Sequence, residues 1–86
     1  MEVLKISSNS KPKSVAGAIA AVLRDNGGVE VQAIGAGAVN QAVKSIVVAK
    51  GYVVGNGIEL ICIPSFARVL VGDEEKTAIK FHICSR

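Results

Sequence analysis

The sequence has no tryptophan, only two phenylalanines and one tyrosine, and only two cysteines among its 86 residues. With so few aromatic residues, alanine, valine, isoleucine and leucine must build the core, and close packing would be helped by the nine glycines. Two cysteines are too few for the disulfide framework of a small secreted domain, so we expect reduced thiols and a cytoplasmic location. No apolar run approaches the roughly 20 residues that cross a bilayer, and the charged N-terminus is unlike a signal peptide, so we expect no membrane partner.

The residue types that carry catalysis or bind metals are also scarce. His82, the only histidine, alternates with Lys80 and has no acidic partner at a recognisable spacing. Cys62 and Cys84 do not have zinc-site spacing, and we expect both to be free thiols. No nucleophile–base set and no pair of carboxylates is placed for acid–base chemistry. The sequence therefore predicts a protein that is not an enzyme and that needs no metal or other cofactor.

Length and charge limit what remains. A chain of 86 residues is long enough for one domain, which we place at residues 1–86. Such a domain buries only about 60–65% of the surface that its unfolded chain exposes, which favours either a tightly packed core or self-association. The formal net charge of +3 is mildly basic and does not by itself establish a nucleic-acid partner.

Hydrophobic periodicity predicts six elements in the order β-α-β-α-β-β. The predicted strands are residues 2–7, 29–34, 58–63 and 77–84. The first predicted helix begins at residue 14, and the second spans residues 38–50. Pro12 suits the first turn of the first helix, and Gly27 and Gly51 are the predicted helix stops. Pro64 is expected to end or bend the third strand, with residues 68–71 as a candidate continuation and Gly72–Asp73 as a hairpin tip.

This order predicts an α+β, two-layer fold. Each strand–helix–strand unit should form a right-handed crossover between parallel strands, and the last two strands should form an antiparallel hairpin. Two helices would then cover one face of a mixed four-stranded sheet. On the second helix, the predicted buried face comprises Val39, Ala42, Val43, Ile46 and Val47, and the opposite side Asn40, Gln41, Lys44 and Ser45. Gly17 weakens the first helix, and a close packing contact either within the chain or between chains would compensate, of which we expect the contact within the chain.

The first candidate site is the start of the first helix. It contains Ser10, Lys11, Lys13 and Ser14. Free N–H groups in the first turn of a helix attract anions, and lysines there would neutralise phosphates. The alternative is a solvated loop with an ordinary helix cap.

The second candidate site is the turn Gly35-Ala36-Gly37, which joins a predicted strand to the second helix. Glycines let a phosphate approach the backbone closely, and Asn40 and Lys44 follow in the first turns of the helix. Both candidate sites should lie at the carboxyl ends of neighbouring parallel strands, where ligands of open sheets tend to bind. The alternative is that the glycines only permit a tight turn.

Gln41 and Arg68 are, with Lys44, candidates for the same surface. Gln41 and Lys44 lie outside the apolar stripe of the second helix and would either extend a basic surface or form its solvated side. Arg68 lies on the terminal hairpin, where a binding role and a stabilising role are equally open.

Several stretches resemble one known family. They are residues 14–24, residues 31–44, the run Ile63-Pro64-Ser65-Phe66, and residues 74–80. These stretches are similar to the stage V sporulation protein S family, and the resemblance extends from Met1 to Arg86. It implies a role in endospore formation and a fold like that of Alba, the archaeal chromatin protein. It further implies the strand order 1-2-4-3 and a homodimer or higher homo-oligomer.

The resemblance also implies a way of binding nucleic acid. Alba binds DNA and RNA through a basic segment before the first helix, a basic turn before the second, and a long basic hairpin. Lys11, Pro12 and Lys13 match the first element. Alba-type sequences carry arginines at the second, where this chain has Gly35, Ala36 and Gly37, and the hairpin here is expected to be short and acidic at its tip.

The function predicted first is therefore a sporulation-associated regulator that binds nucleic acid, DNA or RNA, through phosphates without sequence specificity. The predicted contact residues are Ser10, Lys11, Lys13, Ser14, Gly35, Ala36, Gly37, Asn40, Gln41, Lys44 and Arg68. The alternative is a protein-interaction module of the same fold that has lost nucleic-acid binding. A third hypothesis is a sensor that binds a small anionic ligand at the glycine turn.

Overall fold

The helices and strands of the protein follow the predicted order, with one short 3₁₀ helix added after the second helix. A computed structural model describes all of residues 1–86. The elements are β1 (Val3–Ile6), α1 (Pro12–Asn26), β2 (Gly28–Ala33), α2 (Ala36–Val53), the 3₁₀ helix (Val54–Asn56), β3 (Leu60–Val71) and β4 (Glu74–Ser85). No helix of the chain combines the length and apolar character that a membrane span requires.

The four strands form one mixed sheet in the order β1-β2-β4-β3, which confirms the predicted order. The β1–β2 pair is parallel, and the two pairs that involve β4 are antiparallel. Both helices pack against β2 and against each other, so they cover the same face. Val29, Val31 and Ala33 are buried against them. The β2 residues that alternate with these three point away from the helices, to the side of the sheet that we call the open face.

The first helix ends where the sequence predicts and begins two residues before the predicted start at residue 14. Pro12 is its first residue, because a proline at this position loses no intrahelical hydrogen bond. Gly27 follows the last helical residue with φ 75°, and its N–H donates to the carbonyl oxygen of Leu23 at 2.9 Å. Gly17, in contrast, is exposed, and a Cβ added there would have no neighbour within 4 Å. The expected packing contact of Gly17 within the chain is therefore wrong.

The second helix is longer than predicted at both ends. It starts at Ala36 because Gly35, with φ 89°, turns the chain sharply out of the strand. It continues through Gly51, since Val53 beyond it is completely buried and packing holds the last turn in place. The chain leaves the helical conformation only at Gly57, with φ 75°.

The terminal hairpin is long, and the prediction of a short hairpin is wrong. β3 and β4 have 12 residues each and pair from Leu60 opposite Ser85 to Val71 opposite Glu74. Pro64 does not end β3, because β3 is the outer strand of the sheet and an N–H there needs no partner. The hairpin tip lies at Gly72–Asp73 as predicted, with Gly72 at φ 64°.

Small residues bring the two helices close together. The buried alanines of the helices are Ala16, Ala20, Ala38, Ala42 and Ala49. The larger core residues Ile19, Leu23 and Ile83 fill the space between the helices and the sheet. The core is therefore built mostly from aliphatic side chains, with Phe81 as its one aromatic residue, as the scarcity of aromatic residues predicts.

Candidate anion-binding site

The two predicted candidate segments lie side by side at one edge of the sheet. Ile6 of β1 pairs with Ala33 of β2, so the loop before α1 and the turn before α2 leave the sheet at the same level. Gln41 in α2 donates a hydrogen bond from Nε2 to the carbonyl oxygen of Ser10 at 2.8 Å. This bond ties the loop that precedes α1 to the second turn of α2.

The loop from Ser7 to Ser10 is held by its own hydrogen bonds. The N–H of Ser7 donates to Oγ of Ser10 at 2.9 Å, and the N–H of Ser10 donates to the carbonyl oxygen of Ser7 at 3.1 Å. The N–H of Asn9 also donates to Oγ of Ser7, at 3.2 Å. The Ser10 hydroxyl is thus engaged within the loop, and its structural part is to fix the chain just before Lys11.

The start of α1 presents free backbone donors. Lys11 precedes the helix, and no side chain caps its first turn. The first backbone bond of the helix runs from the N–H of Val15 to the carbonyl oxygen of Lys11 at 3.0 Å. The N–H groups of Lys13 and Ser14 therefore have no partner in the chain, and the side chains of both residues are exposed. These are the features that make a helix N-terminus attractive to an anion.

Both glycines of the turn before α2 have structural reasons to be glycine. Gly35 has φ 89°, a conformation that side-chain-bearing residues rarely adopt. A Cβ on Gly37 would lie 3.0 Å from Cβ of Ser8, so Gly37 lets the two segments approach each other. Ala36 and Asn40 are exposed beside them. The tight-turn alternative thus explains Gly35 and Gly37 without any ligand.

A groove with an apolar floor and a lysine rim runs between the start of α1 and the middle of α2. Its volume is about 670 Å³. The lining residues are Lys11, Pro12, Lys13, Ser14, Val43, Lys44, Val47 and Val48. None of the three lysines makes a salt bridge within the chain. The groove therefore combines uncompensated positive charge with exposed apolar surface.

Two of the three valines of this groove, Val43 and Val47, were predicted to be buried, and that prediction is wrong. Val43 is 45% exposed and Val47 is 65% exposed. Ser45, predicted on the solvent side, is fully buried and donates from Oγ to the carbonyl oxygen of Gln41 at 2.7 Å. The buried side of α2 is the one with the smaller residues, because these allow the close approach of α1. No periodicity signal distinguishes the two sides, since both carry apolar residues.

Arg68 is not part of this groove. It lies in the outer half of β3, and its guanidinium forms an ion pair with Glu75 of β4. The other two arginines also have partners within the chain: Arg24 donates to Asn56 Oδ1 at 2.8 Å and to the carbonyl oxygen of Tyr52 at 3.0 Å, and Arg86 lies 4.0 Å from Glu59. The cations left for a ligand are therefore lysines, and three of them meet at the groove.

The stage V sporulation protein S family matches residues 2–86. The chain belongs to this family. Membership makes it a sporulation-associated protein, as the resemblance of its motifs implies. The matched region includes the whole fold and every residue of the groove.

No cysteine or histidine lines the groove. No cluster of three or more His, Cys, Asp or Glu side chains is placed to hold a metal ion. Cys62 and Cys84 are free thiols on the terminal strands. Burial raises the pKa of the Cys62 thiol above its ordinary value of 9.0, and the nearby Cys84 raises it further. At neutral pH Cys62 is therefore protonated and a weak nucleophile.

Proposed function

We propose that this sporulation-associated protein is an Alba-like regulator that binds nucleic acid, DNA or RNA, and catalyses no reaction. It would contact phosphates without sequence specificity, as a homodimer or higher homo-oligomer in the cytoplasm. The contacts would come from Lys11, Lys13 and Lys44, with the free N–H groups of the first turn of α1.

The observation that carries the proposal is the meeting of three unpaired lysines at an uncapped helix start. Lysine side chains, backbone N–H groups and helix N-termini are among the donors that contact phosphate oxygens. Both helices lack acidic residues in their first turns, so nothing local repels a phosphate. Ser14, Ala36, Asn40 and Gln41 border the same edge of the sheet, whereas Arg68 would have to leave Glu75 to contribute.

Fluorescence anisotropy with labelled duplex DNA, single-stranded DNA and RNA tests the proposal. If a dimer neutralises about four phosphates, the logarithm of the binding constant for duplex DNA should fall against log salt with a slope of roughly −3.6. The double variant Lys11→Ala/Lys13→Ala should bind much more weakly and with a flatter slope. Lys44→Ala should make the slope shallower by about 1 for each phosphate that Lys44 neutralises in the wild-type protein.

Lys50→Ala is the matched control, since Lys50 is an exposed lysine of α2 that does not line the groove. It should leave both affinity and slope unchanged. Equal losses of affinity in Lys44→Ala and Lys50→Ala would point to a diffuse charge effect and contradict a site at the groove. No binding by the wild-type protein at low salt would overturn the proposal.

The second candidate is a protein-interaction module of the same fold. It is favoured by the exposed valines Val43 and Val47 and by the acidic residues Asp73, Glu74 and Glu75 at the hairpin end, which oppose phosphate binding. It predicts a defined protein partner and no salt-dependent shift with DNA or RNA.

A further inference from the structure

The outer half of the terminal hairpin is an exposed arm that combines apolar and acidic residues. β4 pairs with β2 only as far as Ile79, so residues 67–78 have no third strand beside them. Leu70 on this arm and Phe66 at its base are 74% and 77% exposed, more than most large apolar side chains of the chain. Asp73, Glu74 and Glu75 follow at the tip. Such an arm resembles an interaction element more than a solvated loop.

The arm does not cover the groove of its own chain. Val69, Leu70 and Val71 line a second, smaller cavity of about 110 Å³ with Lys5, Ile6, Gln32 and Ile34. Lys5 and Gln32 lie opposite each other on the open face of the sheet, whereas α1 and α2 build the groove on the other face. A hairpin that fills the groove must therefore come from another copy of the chain.

The arm and the groove have complementary chemistry. The groove has valines on its floor and Lys11, Lys13 and Lys44 at its rim, with no carboxylate partner in the chain. On the arm, Asp73 has no salt bridge, and Glu74 approaches only Lys76, at 3.7 Å between two exposed side chains. Exposed ion pairs of that kind contribute little, so Glu74 is free to exchange its partner.

We propose that the hairpin arm of one copy docks in the groove of a second copy. The acidic tip would meet the lysine rim, and Leu70 would meet the exposed Val43 and Val47. Because the contact joins two different surfaces, two reciprocal contacts close a twofold dimer, and a single contact would extend into a ring or chain.

The contact has a regulatory consequence, and this part rests on the proposed function. The lysines that would receive the arm are the same lysines that would contact phosphates. Docking of the arm in the groove and nucleic-acid binding would then compete, so the homo-oligomer that contacts phosphates would be joined through a different surface. The acidic tip would act as a built-in phosphate mimic.

Sedimentation velocity over a range of protein and salt concentrations tests the contact. We expect concentration-dependent self-association that weakens with salt. Asp73→Lys and Lys44→Glu should each raise the dissociation constant of the assembly at least tenfold. A mixture of the two variants should restore association, because both reciprocal contacts of the mixed pair again join opposite charges. Lys50→Glu, outside the groove, should associate like the wild type.

Leu70→Ser supplies an independent test that leaves the net charge unchanged. Leu70 is exposed, so the variant should fold normally, associate more weakly, and bind duplex DNA more tightly at concentrations where the wild type is assembled. A wild-type protein that stays monomeric, or charge reversals that have no effect or are not rescued by mixing, would overturn the docking. If no variant binds nucleic acid, the proposed function fails while sedimentation still decides the contact.

Discussion

At the scale of single residues, Gly17 within α1 and Gly27 directly after it have different structural roles. Gly27 has φ 75° and ends the helix, so its lack of a side chain is required by the backbone. Gly17 lies inside the helix, exposed, with open space where a Cβ would point. A glycine in such a place lowers helix stability without a packing gain in the single chain.

Gly17→Ala should therefore raise the free energy of unfolding by about 1 kcal/mol, because alanine restricts the unfolded backbone and favours the helix. Gly27→Ala is the opposite control and should lower it by roughly 1–2 kcal/mol, since alanine is strained at positive φ. Urea unfolding of both variants measures the difference. A loss of stability in Gly17→Ala would mean that this side of α1 is covered in the assembled protein.

At the scale of elements, the starts of the two helices act as one unit. The loop before α1 folds through Ser7 and Ser10, and α2 holds it through Gln41. The backbone of Gly37 also lies against Ser8. The position of Lys11 relative to Lys44 therefore depends on contacts between elements that are distant in sequence.

Gln41→Ala should lower the free energy of unfolding by about 1 kcal/mol, because it leaves the half-buried Ser10 carbonyl without its donor. The same change should speed amide hydrogen exchange in residues 7–11. Urea unfolding and exchange monitored by NMR measure the two effects. Asn40→Ala, at the exposed neighbouring position, is the control and should change neither. Unaltered exchange in Gln41→Ala would show that the serine turn holds itself in place.

At the scale of the whole molecule, stability depends on how closely two layers with small side chains can pack. Ala42 and Ala49 of α2 are completely buried against α1 and the sheet. An 86-residue domain has little surplus stability with which to absorb a poorly fitted core. Close packing at these alanines also leaves the larger valines outside, where they form the floor of the groove.

Ala42→Leu should lower the free energy of unfolding by about 1–3 kcal/mol, because the extra methyl groups force the two helices apart. Val43→Leu is the matched control one residue away, on the exposed side, and should be close to neutral. Thermal and urea unfolding measure both. Equal stability of the two variants would show that the helix interface is looser than its buried alanines indicate.

Local signals were sufficient for much of the architecture. The element order, the place of Pro12 in the first turn of α1, the helix end at Gly27 and the hairpin tip at Gly72–Asp73 follow from the conformations that these residues prefer, and all are observed. The neighbouring positions of the Lys11 loop and the Gly35 turn followed from a general property of parallel strands, whose carboxyl ends share one edge.

Only the tertiary structure decided which side of α2 is buried and how far the hairpin extends. Val43 and Ser45 lie on a helix that carries apolar residues on nearly every side. The side that became buried is therefore the one that let α1 approach closely. Ser45 can be buried there because its hydroxyl is hydrogen-bonded within the helix. Residues 74–77 have a polar sequence, and they form a strand because residues 68–71 of β3 provide backbone partners and Arg68 provides a charge for Glu75. The sequence by itself determines features that depend on a few neighbouring residues. The buried side of α2 and the length of the hairpin depend instead on a separate helix and on the opposite strand.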